Sequence, residues 1–305
     1  MSKKIILIAG PTASGKSKLA ISLAKKINGE IINADSMQVY KEFNILTSRP
    51  SKKDLKKIKH HLYGMISVKK SFSVGNWIKL IKKKVKYCQR KKIIPIIVGG
   101  TGLYFKAITR GISQIPEVKK KTRNKARKLF ETIGPKKFYQ LLIKIDPIVK
   151  KNLLPTDTQR VLRAYEVKLG TKKSIYEWAL NTKSDFLNYD IKKIFLDIPR
   201  DDLLKKISKR TELMFKKNCT NEVKKFLNLK VKKSLSSNKI IGVKEIDDYL
   251  RGQMSLPRTK ELIFIKTRQY AKRQNTWARG HMNNWNKLYS KDFNVLLKKT
   301  LKVVS

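Results

Sequence analysis

Eight residues near the start of the chain, Gly10-Pro11-Thr12-Ala13-Ser14-Gly15-Lys16-Ser17, have the types and spacing to close around a phosphate. The pattern is G-x-x-x-x-G-K-[ST]. Its glycines let backbone N–H groups approach phosphate oxygens, its lysine adds a full positive charge, and its last hydroxyl can ligate Mg²⁺. A helix that begins here also points its positive end at the anion. Such a loop implies phosphate binding and leaves hydrolysis open.

The flanking elements fit that role. Ile5-Ile6-Leu7-Ile8-Ala9 is a β-branched run ending at Gly10, the pattern of a buried parallel strand. Ser17 to Asn28 carries apolar residues at helical spacing, with Gly29 read as its stop, and Glu30–Ala34 forms a second strand. Residues 74–92 read as a basic amphipathic helix, and residues 93–98 as a third strand with Pro95 near its start. Lys193–Ile198 is a fourth strand, followed by a long helix from about Arg200. Residues 114–187 lack strand runs and have helical periodicity through Phe138, Leu141, Leu142 and Ile145. The expected fold is α/β, a P-loop NTPase-like parallel sheet core (1–113 and 188–305, with C-terminal helices) carrying an inserted helical subdomain (114–187).

Ligands gather at the carboxyl ends of strands in such a sheet. The second strand delivers Asp35-Ser36-Met37-Gln38 there, the third Gly99-Gly100-Thr101-Gly102, and the fourth Arg200, with Arg210 further along its helix. A P-loop ATPase needs a Walker B aspartate after a later strand, but residues 93–98 run into Gly-Gly-Thr. Asp35 is the first acid near the loop. It suits general-base work on an acceptor, the alternatives being a Mg²⁺ ligand or a helix N-cap.

Lys and Arg number 72 against 22 Asp and Glu, a net charge of +50 that attracts polyanions, nucleic acid above all. Residues 50–130 hold 24 Lys/Arg and two acids, Asp54 and Glu117. Scattered lysine also arises from compositional drift. No apolar run approaches a membrane span, so a cytoplasmic protein is expected. Cys88 and Cys219 stand alone as buried or incidental thiols, not a bridge or a zinc site, and the adjacent His60-His61 point apart and do not form a metal pair.

Several stretches together resemble the tRNA dimethylallyltransferases, also called tRNA isopentenyltransferases, over nearly the whole chain. They are Gly10–Ser17, Asp35-Ser36-Met37-Gln38-Val39-Tyr40, His60-His61-Leu62, Gly99–Phe105, Asp157–Ala164, Ile241–Glu245 and Thr267–Trp277. The P-loop is widespread, whereas the DSxQVY and KRQxTW stretches in combination are specific to this family.

The resemblance implies transfer of a five-carbon group from dimethylallyl diphosphate to N6 of the adenosine just 3′ of the tRNA anticodon. By matching position, Asp35 is the general base and Thr101 places the amine and the diphosphate. Residues Gly10 to Ser17 and Arg210 hold the diphosphate, with Mg²⁺ at Ser17. The anticodon stem-loop is read by Asp35, Ser36, Met37, Gln38 and Thr101, by Arg123 and Gln159-Arg160-Val161-Leu162-Arg163 in the insertion, and by Ile240-Ile241-Gly242-Val243-Lys244-Glu245. Lys272 and Arg273 divide between a structural role and the RNA backbone. A monomer of bacterial type, without the Cys/His zinc extension of eukaryotic relatives, is expected.

The chain departs from the family at Leu46, where a glycine is usual, at Lys206 for arginine, and at Val243 for tyrosine. Two other readings compete: a P-loop small-metabolite kinase with Asp35 as base, and a basic RNA-binding protein with a degenerate P-loop.

Overall fold

A computed structural model describes residues 3–305. The chain runs β1 (Lys4–Ala9), α1 (Lys16–Lys26), β2 (Gly29–Asn33), α2 (Lys52–Lys57), β3 (His60–His61), α3 (Val74–Arg90), β4 (Ile94–Gly99) and α4 (Gly102–Thr109). It continues with α5 (Lys120–Ile145), α6 (Val149–Asn152), α7 (Thr158–Thr171), α8 (Ile175–Leu180), β5 (Asp190–Leu196), α9 (Arg200–Lys216) and α10 (Cys219–Asn228). The last elements are α11 (Val243–Leu250), α12 (Leu256–His281), β6 (Asn286–Leu288) and α13 (Phe293–Val304). Among the described residues, no helix is long and apolar enough to cross a membrane. Two compact units result, one of residues up to Ala107 with Asn188–Ser305, the other Ile108–Leu187.

The larger unit is built on a six-stranded sheet of order β3-β2-β4-β1-β5-β6, every pair parallel. β1 lies inside it, with Ile8 opposite Val98 on one side and Ile194 on the other. Its residues Ile5 to Ile8 are wholly buried, because both faces of a parallel sheet are covered and a continuous apolar run is the only pattern that suits both. On one face Ile6, Ile8, Ile31 and Ile96 pack with Leu19 and Leu23 of α1 and Val304 of α13. A separate cluster around Tyr40, Phe43, Met214, Phe226, Ile246 and Ile263 joins the loop after β2 to α9–α12.

Three sequence expectations change. The left-handed residue after α1 is Asn28 (φ 52°), not Gly29. Gly29 instead opens β2, where a Cβ would lie 2.8 Å from Ile96 Cδ1. The fourth strand ends at Leu196, two residues earlier than its apolar run, and the edge strands β3 and β6 carry too few residues to display a period.

The two histidines of β3 do turn to different partners. His60 Nδ1 meets the Ile58 carbonyl at 2.8 Å, and His61 Nε2 meets Glu30 at 2.5 Å. Cys88, distant in sequence, brings its sulfur 4.0 Å from the same carboxylate. Burial lowers the His61 pKa against the pull of Glu30, with Lys84 and Lys59 pushing it further down, and pushes the Cys88 thiol up to about 12. The donor atoms of Glu30, His61 and Cys88 lie within 4.8 Å of one another, and the contacts to Glu30 tie β2, β3 and α3 together.

In the helical unit, α5 bends at Gly134 (φ 75°, ψ 167°) and Pro135. Phe138, Leu142 and Val149 pack there with Val161 and Tyr165 of α7, the rings of Phe138 and Tyr165 being 4.7 Å apart. The buried Glu166 carboxylate lies 3.6 Å from Arg163 and 4.0 Å from Arg127.

Trp77 of α3 links the core to the strand ends. It is wholly buried, stacks on Tyr104 at 4.1 Å, and donates its indole N–H to the Asn33 carbonyl at 2.9 Å. Trp77→Phe keeps most of the packing and leaves that carbonyl without its donor. We expect a loss of about 1–3 kcal/mol, read as a lower urea midpoint with an unchanged far-ultraviolet circular dichroism spectrum. An unchanged midpoint would mean that the bond contributes nothing.

Candidate active site

β1 ends at Ala9, and the chain turns through residues 10–15 before α1 begins at Lys16. Lys16 donates from Nζ to the Pro11 carbonyl at 2.9 Å, folding its ammonium back over the loop. Ser14 Oγ is buried and has no partner among the described residues, so an oxygen acceptor entering the loop would satisfy it. Arg210 reaches in from α9 and donates from Nη1 to Thr12 Oγ at 3.0 Å. Burial lowers both cations, Lys16 to about 8. Asp35 opposes the fall in each, and Arg210 adds to it at Lys16.

β2 ends one residue before Ala34, and the turn that follows is held at several points. Asn33 accepts the Asp35 N–H at 2.8 Å and donates to the carbonyls of Asp35 (2.9 Å) and Leu62 (3.1 Å). Asp35 Oδ1 accepts from the N–H groups of Met37 (2.9 Å) and Gln38 (3.4 Å). One oxygen of Asp35 therefore stabilises its own turn, and the other has no donor among the described residues. Thr101, just past β4, accepts the Ser36 N–H at 3.0 Å. The three strand ends are thus tied to one another by side-chain hydrogen bonds.

Gln274 of α12 makes the longest-range tie. Its Oε1 accepts the Thr12 N–H at 2.8 Å and its Nε2 donates to the Gly100 carbonyl at 2.9 Å. The β4 turn has no room for side chains. A Cβ on Gly99 would lie 2.0 Å from the Ala34 carbonyl oxygen, and one on Gly100 2.1 Å from Gln274 Nε2. Those contacts explain the glycine pair as close approach.

Two cavities meet at this partition. The first, about 350 Å³, is lined by Thr12 to Ser17, Asp35, Gln38 and Gly99, with Lys206, Lys209 and Arg210 of α9. The second, about 290 Å³, is lined by Gly10, Ser36, Gly100 and Thr101, and by Phe105, Tyr270, Trp277 and Met282. One is cationic with a single carboxylate, the other mostly aromatic and apolar. Asp197 follows β5 as a Walker B acid would, yet it lines a third cavity, with Arg200 and Arg268, and not the cradle.

Not every sequence-predicted residue faces these cavities. Ile240, Val243 and Glu245 are buried; Glu245 accepts the Gly242 N–H at 2.8 Å and pairs with Lys266, leaving Lys244 as the exposed residue of that stretch. Val161 is core in the helical unit, whereas Gln159 and Arg160 are exposed and Arg123 is half-buried. Lys272 and Arg273 are both exposed, on different faces of α12: Arg273 with Tyr270, Gln274 and Trp277 on the second cavity, Lys272 with Arg268 and Arg279 on the third. Sequence reasoning did not find Gln274 as a brace, or Lys206 and Lys209 as lining. The first sits inside the KRQNTW stretch, but no spacing rule says that its side chain crosses to the P-loop.

The cradle's charge state sets a prediction. A diphosphate monoester is fully ionised above about pH 7.5, and Lys16 loses its proton near 8. Binding measured by calorimetry should weaken as pH rises from 7.5 to 9.5, because the protonated form binds the anion. Lys16→Met should bind weakly and without that dependence; a wild-type affinity flat across the range would remove Lys16 from the anion.

The sequence profile of a family described as IPP transferase matches residues 38–281. The chain is 53% identical over 285 residues to a tRNA dimethylallyltransferase of Pelagibacter ubique (strain HTCC1062), covering 93% of this chain and 91% of that protein. A tRNA dimethylallyltransferase of Ehrlichia canis (strain Jake) is 41% identical over 280 residues, with 92% and 93% covered. Among solved structures, the full-length tRNA isopentenylpyrophosphate transferase of Bacillus halodurans aligns with a TM-score of 0.70 at 30% identity, over 99% of this chain and 95% of that one. A eukaryotic dimethylallyltransferase acting on tRNA aligns with a TM-score of 0.79 at 29% identity, over 91% of this chain and 70% of that one. Built on the same fold and matched across most of its length, the chain belongs to the IPP transferase family.

Proposed function

We propose that this protein transfers the dimethylallyl group of dimethylallyl diphosphate to N6 of the adenosine 3′ of a tRNA anticodon. The observation that carries the reading is the shared cavity: a P-loop with two cations beside one carboxylate that keeps a free oxygen. The family result lends no support to a small-metabolite kinase.

In this reading the diphosphate occupies residues 10–17, with Lys16 and Arg210 neutralising the charge that grows on the leaving oxygen. The hard oxygen donors in the cavity, Ser17 and Asp35 among them, fit Mg²⁺, which takes one or two protein ligands and completes its shell with waters and phosphate oxygens. Ser17 would hold it there, where it supplies further charge neutralisation. The N6 lone pair forms the C–N bond as the C–O bond breaks with its electrons going to diphosphate. The free oxygen of Asp35 takes the N6 proton. Thr101, whose hydroxyl bonds to Ser36, places the amine and the leaving group relative to one another. The aromatic second cavity offers walls of the kind a prenyl group or a purine packs against.

An adenine cannot reach an enclosed carboxylate while stacked in its loop, so the base is extruded on binding. We infer that Arg123, Gln159, Arg160 and Arg163 of the helical unit, with Lys244, Lys272 and Arg273, hold the anticodon stem-loop.

Mass analysis of tRNA nucleosides after incubation with enzyme, Mg²⁺ and dimethylallyl diphosphate tests the reading, the expected product being an adenosine heavier by one five-carbon unit. Asp35→Asn should lose transfer by about 100-fold or more while keeping RNA affinity, and near-normal turnover would remove Asp35 as base. RNA affinity should also fall steeply as salt rises from low to moderate concentration. A flat response would mean that the excess lysine has no part in binding.

A further inference from the structure

Glu222, in the first turn of α10, spends its whole carboxylate on one backbone segment. Oε1 accepts the N–H groups of Asn44 (2.6 Å) and Ile45 (2.8 Å), and Oε2 accepts that of Leu46 (2.9 Å). Three successive N–H groups pointing one way need acceptors, and a carboxylate offers two oxygens with no donor to oppose them. From the other side the segment is pinned by Leu46, which is buried with Phe43, Met214, Ile240 and Val243. Thr47 Oγ closes the turn on the Phe43 carbonyl at 3.1 Å.

The carbonyls of this fixed segment face Gln38. Its Nε2 donates to Thr47 O at 2.8 Å and to Ser48 O at 3.2 Å. Both amide hydrogens are thereby used, which fixes the orientation of the carboxamide without reference to any ligand. Its oxygen has no donor among the described residues, and Gln38, Thr47 and Ser48 line the same cavity as Lys16 and Asp35.

We propose that Glu222 is a positioning residue of this site, acting through the 44–48 segment to hold the Gln38 carboxamide oxygen out as the acceptor for an N–H of the incoming base. The proposal rests on the prenyl-transfer reading for the identity of that base. An acceptor at this point favours an amino edge, as on adenine, over a carbonyl edge, as on guanine, whose oxygen would face another oxygen. Glu222 itself lines neither the cradle nor the aromatic cavity. Its effect on the reaction therefore comes through Gln38, and the two side chains should behave as one unit.

The test compares Glu222→Gln, Gln38→Leu and the double variant with wild type. RNA and dimethylallyl diphosphate are varied separately in steady state, and RNA binding is measured by fluorescence anisotropy without the diphosphate. Each single variant should raise KM and Kd for RNA by about 3- to 10-fold, the scale of one hydrogen bond. KM for the diphosphate should stay within about 2-fold, and the double variant should be no worse than Gln38→Leu alone. Independently of any activity, the Gln38 side-chain NH₂ signals should be protected from exchange in the wild type and lose that protection in Glu222→Gln. Multiplicative effects in the double variant, equal losses for both substrates, or unaltered Gln38 signals would each overturn the proposal. Should Glu222→Gln fold poorly, Glu222→Asp, which keeps the charge and shortens its reach, carries the same comparison. An inactive wild type with the NMR change intact would count against the transfer reading and leave the positioning claim standing.

Discussion

One carboxamide holds the site in register. Gln274 accepts from the Thr12 N–H and donates to the Gly100 carbonyl, so the P-loop and the turn after β4 cannot move apart without leaving two backbone groups unpaired. A parallel sheet sends every strand's carboxyl end to one edge but does not set the spacing of the loops that leave it. Here that spacing depends on side chains: Gln274 between the first and third loops, the Thr101 hydroxyl between the third and second. Asn33, itself capped by Trp77, then orients the second loop so that Asp35 faces the cradle.

The first cavity concentrates like charge. Burial lowers both Lys16 and Arg210, Arg210 lowers Lys16 further, and Lys206 and Lys209 line the same space with a single carboxylate to offset them. An anion placed among these cations would relieve that repulsion. Asp35 serves the arrangement twice. Its charge steadies both cations, and its first oxygen is committed to its own turn, so the second oxygen is held in a fixed direction instead of rotating freely.

Several residues that read as functional in sequence are architectural in the fold. Glu245 caps α11 with a buried carboxylate, and Val161 fills the core of the helical unit. Each belongs to a motif whose neighbours are exposed, as Lys244, Gln159 and Arg160 are. A motif therefore records a structural unit together with the side chains it presents, and burial separates the two.

The P-loop, the buried strands β1, β2 and β4, the helical character of residues 114–187 and the family were all legible in the sequence. They are carried by local signals: fixed spacing around glycines, continuous apolar runs and helical periodicity. The last residue of β5 and the edge strands β3 and β6 were not, because two or three residues have no period and an apolar run can outlast its ladder. Tertiary structure alone decided that Gln274 braces the P-loop, that Glu222 grips the 44–46 backbone, and that Asp197 looks away from the cradle. The hydrogen-bonded partners stand between 174 and 262 positions apart in the chain. Which polar side chain reaches a distant backbone group depends on how helices pack on the sheet, and no local pattern of residues encodes that.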